Sequence, residues 1–181
     1  LSCPPGLGPF TISPKAEKKI NSRVGKVPNW YLDVSLLNKY WGSDRVYHHT
    51  APVNMNFGIR EALRLLSEEG LENAWKRHSD NAEMLWKGLE DLGLELYVKK
   101  EIRLPTLTTV RIPDGIDGKA FSLHLLRNHG IEIGGGLGDL AGKVWRIGLM
   151  GYNSTSENVA SILHIFENEL PKFKDTSSSS A

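Results

Sequence analysis

Apolar residues recur at helical spacing through the middle of the chain and change to short β-branched runs toward its end. From Asn54 to about Glu69, Phe57, Ile59, Leu63 and Leu66 fall close to one face and Gly70 follows, which predicts an amphipathic helix. A second helix is expected from Leu71 to Leu92, with Trp75, Ala82, Leu85, Trp86 and Leu89 on its apolar side and Gly93 at its end. The period then shortens. LELYV, LTTVRI and KVWRIGLM read as strands, with helices expected at about 117–129 and 155–170. Strands mixed with flanking helices describe a two-layer α/β sandwich over roughly residues 71–172.

The first fifty residues are patterned differently. Residues 1–12 are rich in Pro and Gly and then apolar, which suggests a turn leading into a short strand. Ser13 before Pro14 predicts a capped helix running through AEKKINSR to Gly25. A second short helix fits DVSLLNKYWG, with Asp33 as its N-cap and Gly42 beyond its end. VPNWY and RVYHHTAPV read as extended or loop segments. None of these pieces closes a core of its own. Residues 1–53 are therefore expected to be the remnant of a larger domain, 54–70 an interdomain helix, 71–172 a small domain, and the polar 173–181 a solvated tail.

Composition narrows the class. With 40% apolar and 24% charged residues in 181, the chain can build a real core. A net charge of +1 creates no field that would recruit nucleic acid or a membrane surface. No run approaches the roughly 18–20 apolar residues of a membrane span. Cys3 is the only cysteine, so neither an internal disulfide nor a thiolate zinc cluster can form within one chain.

Three places carry candidate chemistry. Arg146 lies among apolar neighbours in KVWRIGLM, where it either grips a planar carboxylate with two parallel hydrogen bonds or packs its stem with its head in water. Tyr47-His48-His49-Thr50 sets four polar side chains in a row. Adjacent strand residues point to opposite faces, so His48 and His49 are not expected to converge on an ion, and no metal site is expected. The Tyr and Thr hydroxyls could donate to a phosphate, or the segment could be a surface turn. GIEIGGGLGDLAGK matches the G-x-G-x-x-A fingerprint at Gly136, Gly138 and Ala141, but a strand rather than a helix follows, and the pattern reads as a tight loop. His78, His124 and His164 fall in predicted helices as partly exposed residues. Trp41, Trp75 and Trp86 read as core or interface mass, and ENAWKRH as a solvated face.

Taken in order, CPPGLGPFTIS, NWYLDVSLLNKYWG, RVYHHTAPV, GLENAWKRH, RLPTLTTVRIP, GIEIGGGLG and GKVWRIGLMGYN resemble the alanine–glyoxylate (serine–pyruvate) aminotransferases, over about residues 3–170. The resemblance implies the small C-terminal α/β domain, with a large-domain remnant, of a class V, fold-type-I transferase that uses pyridoxal 5'-phosphate. It implies transfer of an amino group from alanine or serine to glyoxylate or pyruvate, in a homodimer of peroxisome or mitochondrion. It assigns Arg146 to the substrate carboxylate, and Tyr47 and Thr50 to the cofactor phosphate of the partner subunit. It places the lysine that links the cofactor covalently about two residues before Leu1, so the chain holds no catalytic residue of its own and is expected to be inactive alone. The competing expectation is a non-catalytic small-ligand or partner-binding α/β module. A cysteine desulfurase would need a cysteine in a mobile loop, for which Cys3 is badly placed.

Overall fold

A computed structural model describes residues 1–174. The chain divides into two compact units, one of residues 3–60 and one of Leu1–Ser2 with Glu61 onward.

In the first unit, Ser13 accepts the Ala16 amide and caps helix α1, Pro14–Asn21, with Pro14 at its start. The helix is shorter than expected. The Ser22 hydroxyl donates to the Lys19 carbonyl and the Ser22 amide folds back on the last turn, so the helix closes before Gly25. Asp33 caps α2, Val34–Trp41, by accepting from the Ser35 amide and hydroxyl, and Gly42 ends it, as the sequence predicts. Phe10 and Ile12 precede α1 without forming the expected strand. Helix α3, Val53–Glu69, runs from this unit into the next.

The second unit contains helix α4, Leu71–Asp91, strand β1, Leu107–Arg111, helix α5, Gly118–His129, strands β2, Gly134–Gly135, and β3, Val144–Gly148, and helix α6, Ser156–Glu169. The strands form one antiparallel sheet ordered β1-β3-β2. LELYV is not a full strand: Leu96 bridges Val110, and the backbone bonds of Tyr97 with Thr109 and of Arg111 with Glu95 lay the segment along the free edge of β1. β2 is an addition that the sequence pattern did not suggest. Two glycines carry no β signal, and their pairing opposite Arg146 and Trp145 is imposed by β3.

Strand alternation sorts the side chains. Trp145 and Ile147 on β3, with Val110 and Thr108 opposite them on β1, face the helices. There Trp145, Phe121 and Phe166 meet with ring centroids 5.1–5.7 Å apart, and Leu85, Leu89, Leu125, Val159 and Ile162 close the core around them. Trp86 reaches the same face and donates its indole N–H to Thr108 at 2.9 Å, which satisfies the buried hydroxyl. Trp86 is thus core mass, whereas Trp41 and Trp75 are each 61% exposed. Asp117 caps α5 by accepting from the amides of Lys119 and Ala120, and Gly130 ends it at φ +66°. Phe173 packs against Phe121 and His124 after α6. The expected polar tail lies, from residue 175 on, outside the described residues.

Candidate functional site

Arg146 occupies the face of the sheet opposite the aromatic core, in a cross-strand row with Thr109 on β1 and Gly134 on β2. Its guanidinium lies over Gly134, where an added Cβ would stand 3.4 Å from Nη2. Nε donates to the Gly135 carbonyl at 2.7 Å, which fixes the plane of the group. No carboxylate among the described residues pairs with it, and both Nη atoms remain open to a ligand. A half-buried guanidinium with a fixed plane and two unused donors is suited to a planar carboxylate held end-on.

The loop between β2 and β3 supplies this setting. At Gly136 a Cβ would come within 1.9 Å of the Leu140 carbonyl, and Gly138 and Gly142 adopt positive φ. Here the glycines serve close backbone approach, as the loop reading anticipated. The Gly136–Val144 backbone bond closes the loop onto β3.

In the first unit, Tyr47 and Thr50 come together with their hydroxyl oxygens 3.1 Å apart, both residues exposed. Tyr40 meets Tyr47 edge-on at 6.0 Å. One hydroxyl donates to the other, which leaves a second hydroxyl hydrogen for an oxyanion. This donor pair fits a phosphate oxygen.

The histidines between them contradict the expected divergence. The segment is not a strand but bends at His49, and the two Nδ1 atoms meet at 2.9 Å. His48 is buried, stacks on Trp30 at 4.2 Å and 9°, and donates from Nε2 to the Trp30 carbonyl at 3.2 Å. The two Nδ1 atoms share one proton between them. The pair anchors the turn that presents the two hydroxyls.

ENAWKRH also departs from expectation, because two of its residues turn inward. Arg77 forms a two-pronged pair with Glu69 at 2.6 and 2.9 Å and donates to the Gly151 and Ser154 carbonyls. His78 donates from Nδ1 to the Ala74 carbonyl at 2.6 Å and accepts the Gly151 amide at Nε2. Helix α4 is thereby tied to the turn after β3, a long-range arrangement with no local sequence signal. The Arg77 guanidinium holds the Glu69 carboxyl below the ordinary glutamate range. This contribution to stability is present above that range and is lost as pH falls through the lowered value. Glu69→Gln is therefore expected to lower the urea midpoint at neutral pH, with the difference shrinking on acidification. A gap that stays constant between pH about 7 and 3 would refute it.

Residues 1–161 match the family model described as Aminotransferase class-V. The chain is 50% identical to the alanine–glyoxylate aminotransferase of Callithrix jacchus over 163 residues, 88% of this chain and 39% of that protein. It is 39% identical to the enzyme of that name from Drosophila melanogaster over 96% of this chain and 45% of that one. Among solved structures, an alanine–glyoxylate aminotransferase from Nostoc sp. superposes with TM-score 0.87 at 61% identity, covering 91% of this chain and 44% of that one. The ureidoglycine–glyoxylate aminotransferase of Bacillus subtilis superposes with TM-score 0.91 at 39% identity, covering 95% and 44%. The chain thus spans about two fifths of the length of the curated mammalian relatives it matches. Its α/β fold is that of the fold-type-I aminotransferases. With this fold and these relatives, the chain belongs to the class-V aminotransferase family.

Proposed function

We propose that this chain supplies the substrate-carboxylate clamp and two phosphate-contacting hydroxyls of an enzyme that uses pyridoxal 5'-phosphate to move an amino group from alanine or serine to glyoxylate or pyruvate. The observation that carries this reading is Arg146, half-buried on the outer sheet face with Nε engaged and both Nη atoms open. The printed names of its relatives, alanine–glyoxylate aminotransferases, agree with that chemistry.

Pyridoxal phosphate, when bound, supplies an electron sink for the charge that develops at Cα as its proton leaves. The residues of this chain bind and orient. Arg146 offers the Nη1–Nη2 fork to the α-carboxylate, because Nε is committed to Gly135, and so sets the direction of the Cα–H bond. An amino acid and a 2-oxo acid share that carboxylate, so one clamp serves both halves of the reaction. Tyr47 and Thr50 donate hydroxyl protons to the cofactor phosphate, in our reading that of the partner subunit in a homodimer, in a peroxisome or mitochondrion. None of the chain's lysines matches the one that links the cofactor covalently in the family, and the chain by itself is accordingly inactive in this proposal.

The test uses an enzyme of the relatives' length that carries this sequence. Alanine and glyoxylate are expected to yield pyruvate and glycine only with pyridoxal phosphate present, and the double variant Tyr47→Phe, Thr50→Ala is expected to need about tenfold or more cofactor for half-maximal activity, the cost of two hydrogen bonds to a charged group. No amino transfer from alanine or serine would overturn the reading in favour of a binding module. A stable lysine-linked absorbance in the 181-residue chain alone would overturn the inactivity.

A further inference from the structure

Helices α5 and α6 bring together three side chains that neither the sequence reading nor the transamination proposal uses. His124 lies in the middle of α5, His129 is the last residue of that helix, and Glu169 ends α6. One ligand atom from each lies within 4.8 Å of the other two. The closest pair, His124 Nε2 and Glu169 Oε2, stands 3.1 Å apart, and the two imidazoles meet edge-on at 5.5 Å. We propose that His124, His129 and Glu169 form a binding site for a divalent transition-metal ion, with two imidazoles, one carboxylate and an open fourth position, best matched to zinc.

The chemistry of the set selects the ion. Two nitrogens with one carboxylate oxygen suit zinc and its neighbours, whereas magnesium and calcium take oxygen ligands. Bond lengths of about 2.0–2.2 Å set neighbouring tetrahedral ligands about 3.4 Å apart, close to the observed His124–Glu169 spacing. His129 is exposed at a helix end and can close the remaining distance by rotation about its side-chain bonds. Two of the ligands are already constrained. Glu169 is largely buried at its side chain, with 17% exposed, and Phe173 packs on the His124 ring at 5.0 Å.

The surroundings show what must change on binding. The Lys172 ammonium stands 2.8 Å from Glu169 Oε1. Lys172 occupies Oε1 and leaves Oε2 to the metal. The Asn128 amide now donates to His124 Nδ1 at 2.8 Å, which puts the imidazole proton on Nε2, facing Glu169. Zinc at Nε2 displaces that proton to Nδ1. Asn128, whose Nδ2 also donates to the His124 carbonyl at 3.2 Å, must then move off Nδ1.

The test titrates zinc chloride into the 181-residue chain by calorimetry, in a Cys3→Ser background that removes its one thiol. One saturable site per chain is expected, weakened about tenfold or more in His129→Ala and in Glu169→Gln and unchanged in His164→Ala, which alters a histidine elsewhere on α6. Zinc is also expected to raise the melting temperature of the parent chain but not of His129→Ala, whose exposed position leaves the fold in place by circular dichroism. Absence of saturable zinc binding in the parent chain, or equal binding in His129→Ala, would overturn the proposal.

Discussion

Replacing Arg146 by alanine in an enzyme of the relatives' length is expected to raise KM for amino donor and 2-oxo acceptor together by about a hundredfold or more. The estimate follows from losing two hydrogen bonds between charged groups at a half-buried site, about 1.5–3 kcal/mol for each, at about 1.4 kcal/mol per factor of ten. The effect belongs in KM because the clamp grips ground state and transition state alike. Part of it should pass into kcat if the lost grip also frees the Cα–H bond to turn. Arg146→Lys should recover only a fraction, since an ammonium cannot reproduce the planar Nη1–Nη2 fork. Cofactor absorbance should stay nearly intact in both variants. Steady-state kinetics over both substrates decide the matter, and an unchanged KM would remove Arg146 from carboxylate binding.

The second large effect is on stability. Trp145 is almost wholly buried, touches Phe121 and Phe166, and donates its indole N–H to the Gly118 carbonyl at 2.9 Å. Trp145→Ala is expected to cost about 3–5 kcal/mol, read as a lowered urea midpoint. Net stabilities run at about 5–15 kcal/mol, so the variant would sit near the edge of folding. Trp145→Phe keeps most of the ring mass and loses the hydrogen bond, and should cost clearly less. Equal losses in the two variants would show that ring volume is not what the core requires there.

The helices were legible because their signals are local. Asp33 and Gly42 bracket α2, and Asp117 with Gly130 bracket α5, through contacts within a few residues of each end. The sheet was legible only in part. β1 and β3 carry β-branched residues, but Gly134–Gly135 pair because β3 offers them an edge, and LELYV stops short of a strand. Arg146 stood out as a charge among apolar neighbours, yet its free Nη pair depends on Gly134 and Gly135, twelve and eleven residues away. The convergence of His48 with His49 was misjudged because alternation holds only on extended backbone, and His49 bends. Arg77 and His129 carried no sequence signal at all: their partners, Gly151, Ser154 and Glu169, are set by tertiary packing.

The alternation along β3 has a consequence for how this strand can change. Trp145 and Arg146 are consecutive, one turned into the aromatic core and one away from it. Because β3 is the middle strand, laddered on both sides, a shift of its register breaks two sets of backbone bonds and exchanges the two side chains. A single inserted or deleted residue just before Trp145 would carry a guanidinium into apolar surroundings and set an indole in water. Changes of length within Val144–Gly148 therefore cannot be absorbed without breaking the ladder on both sides.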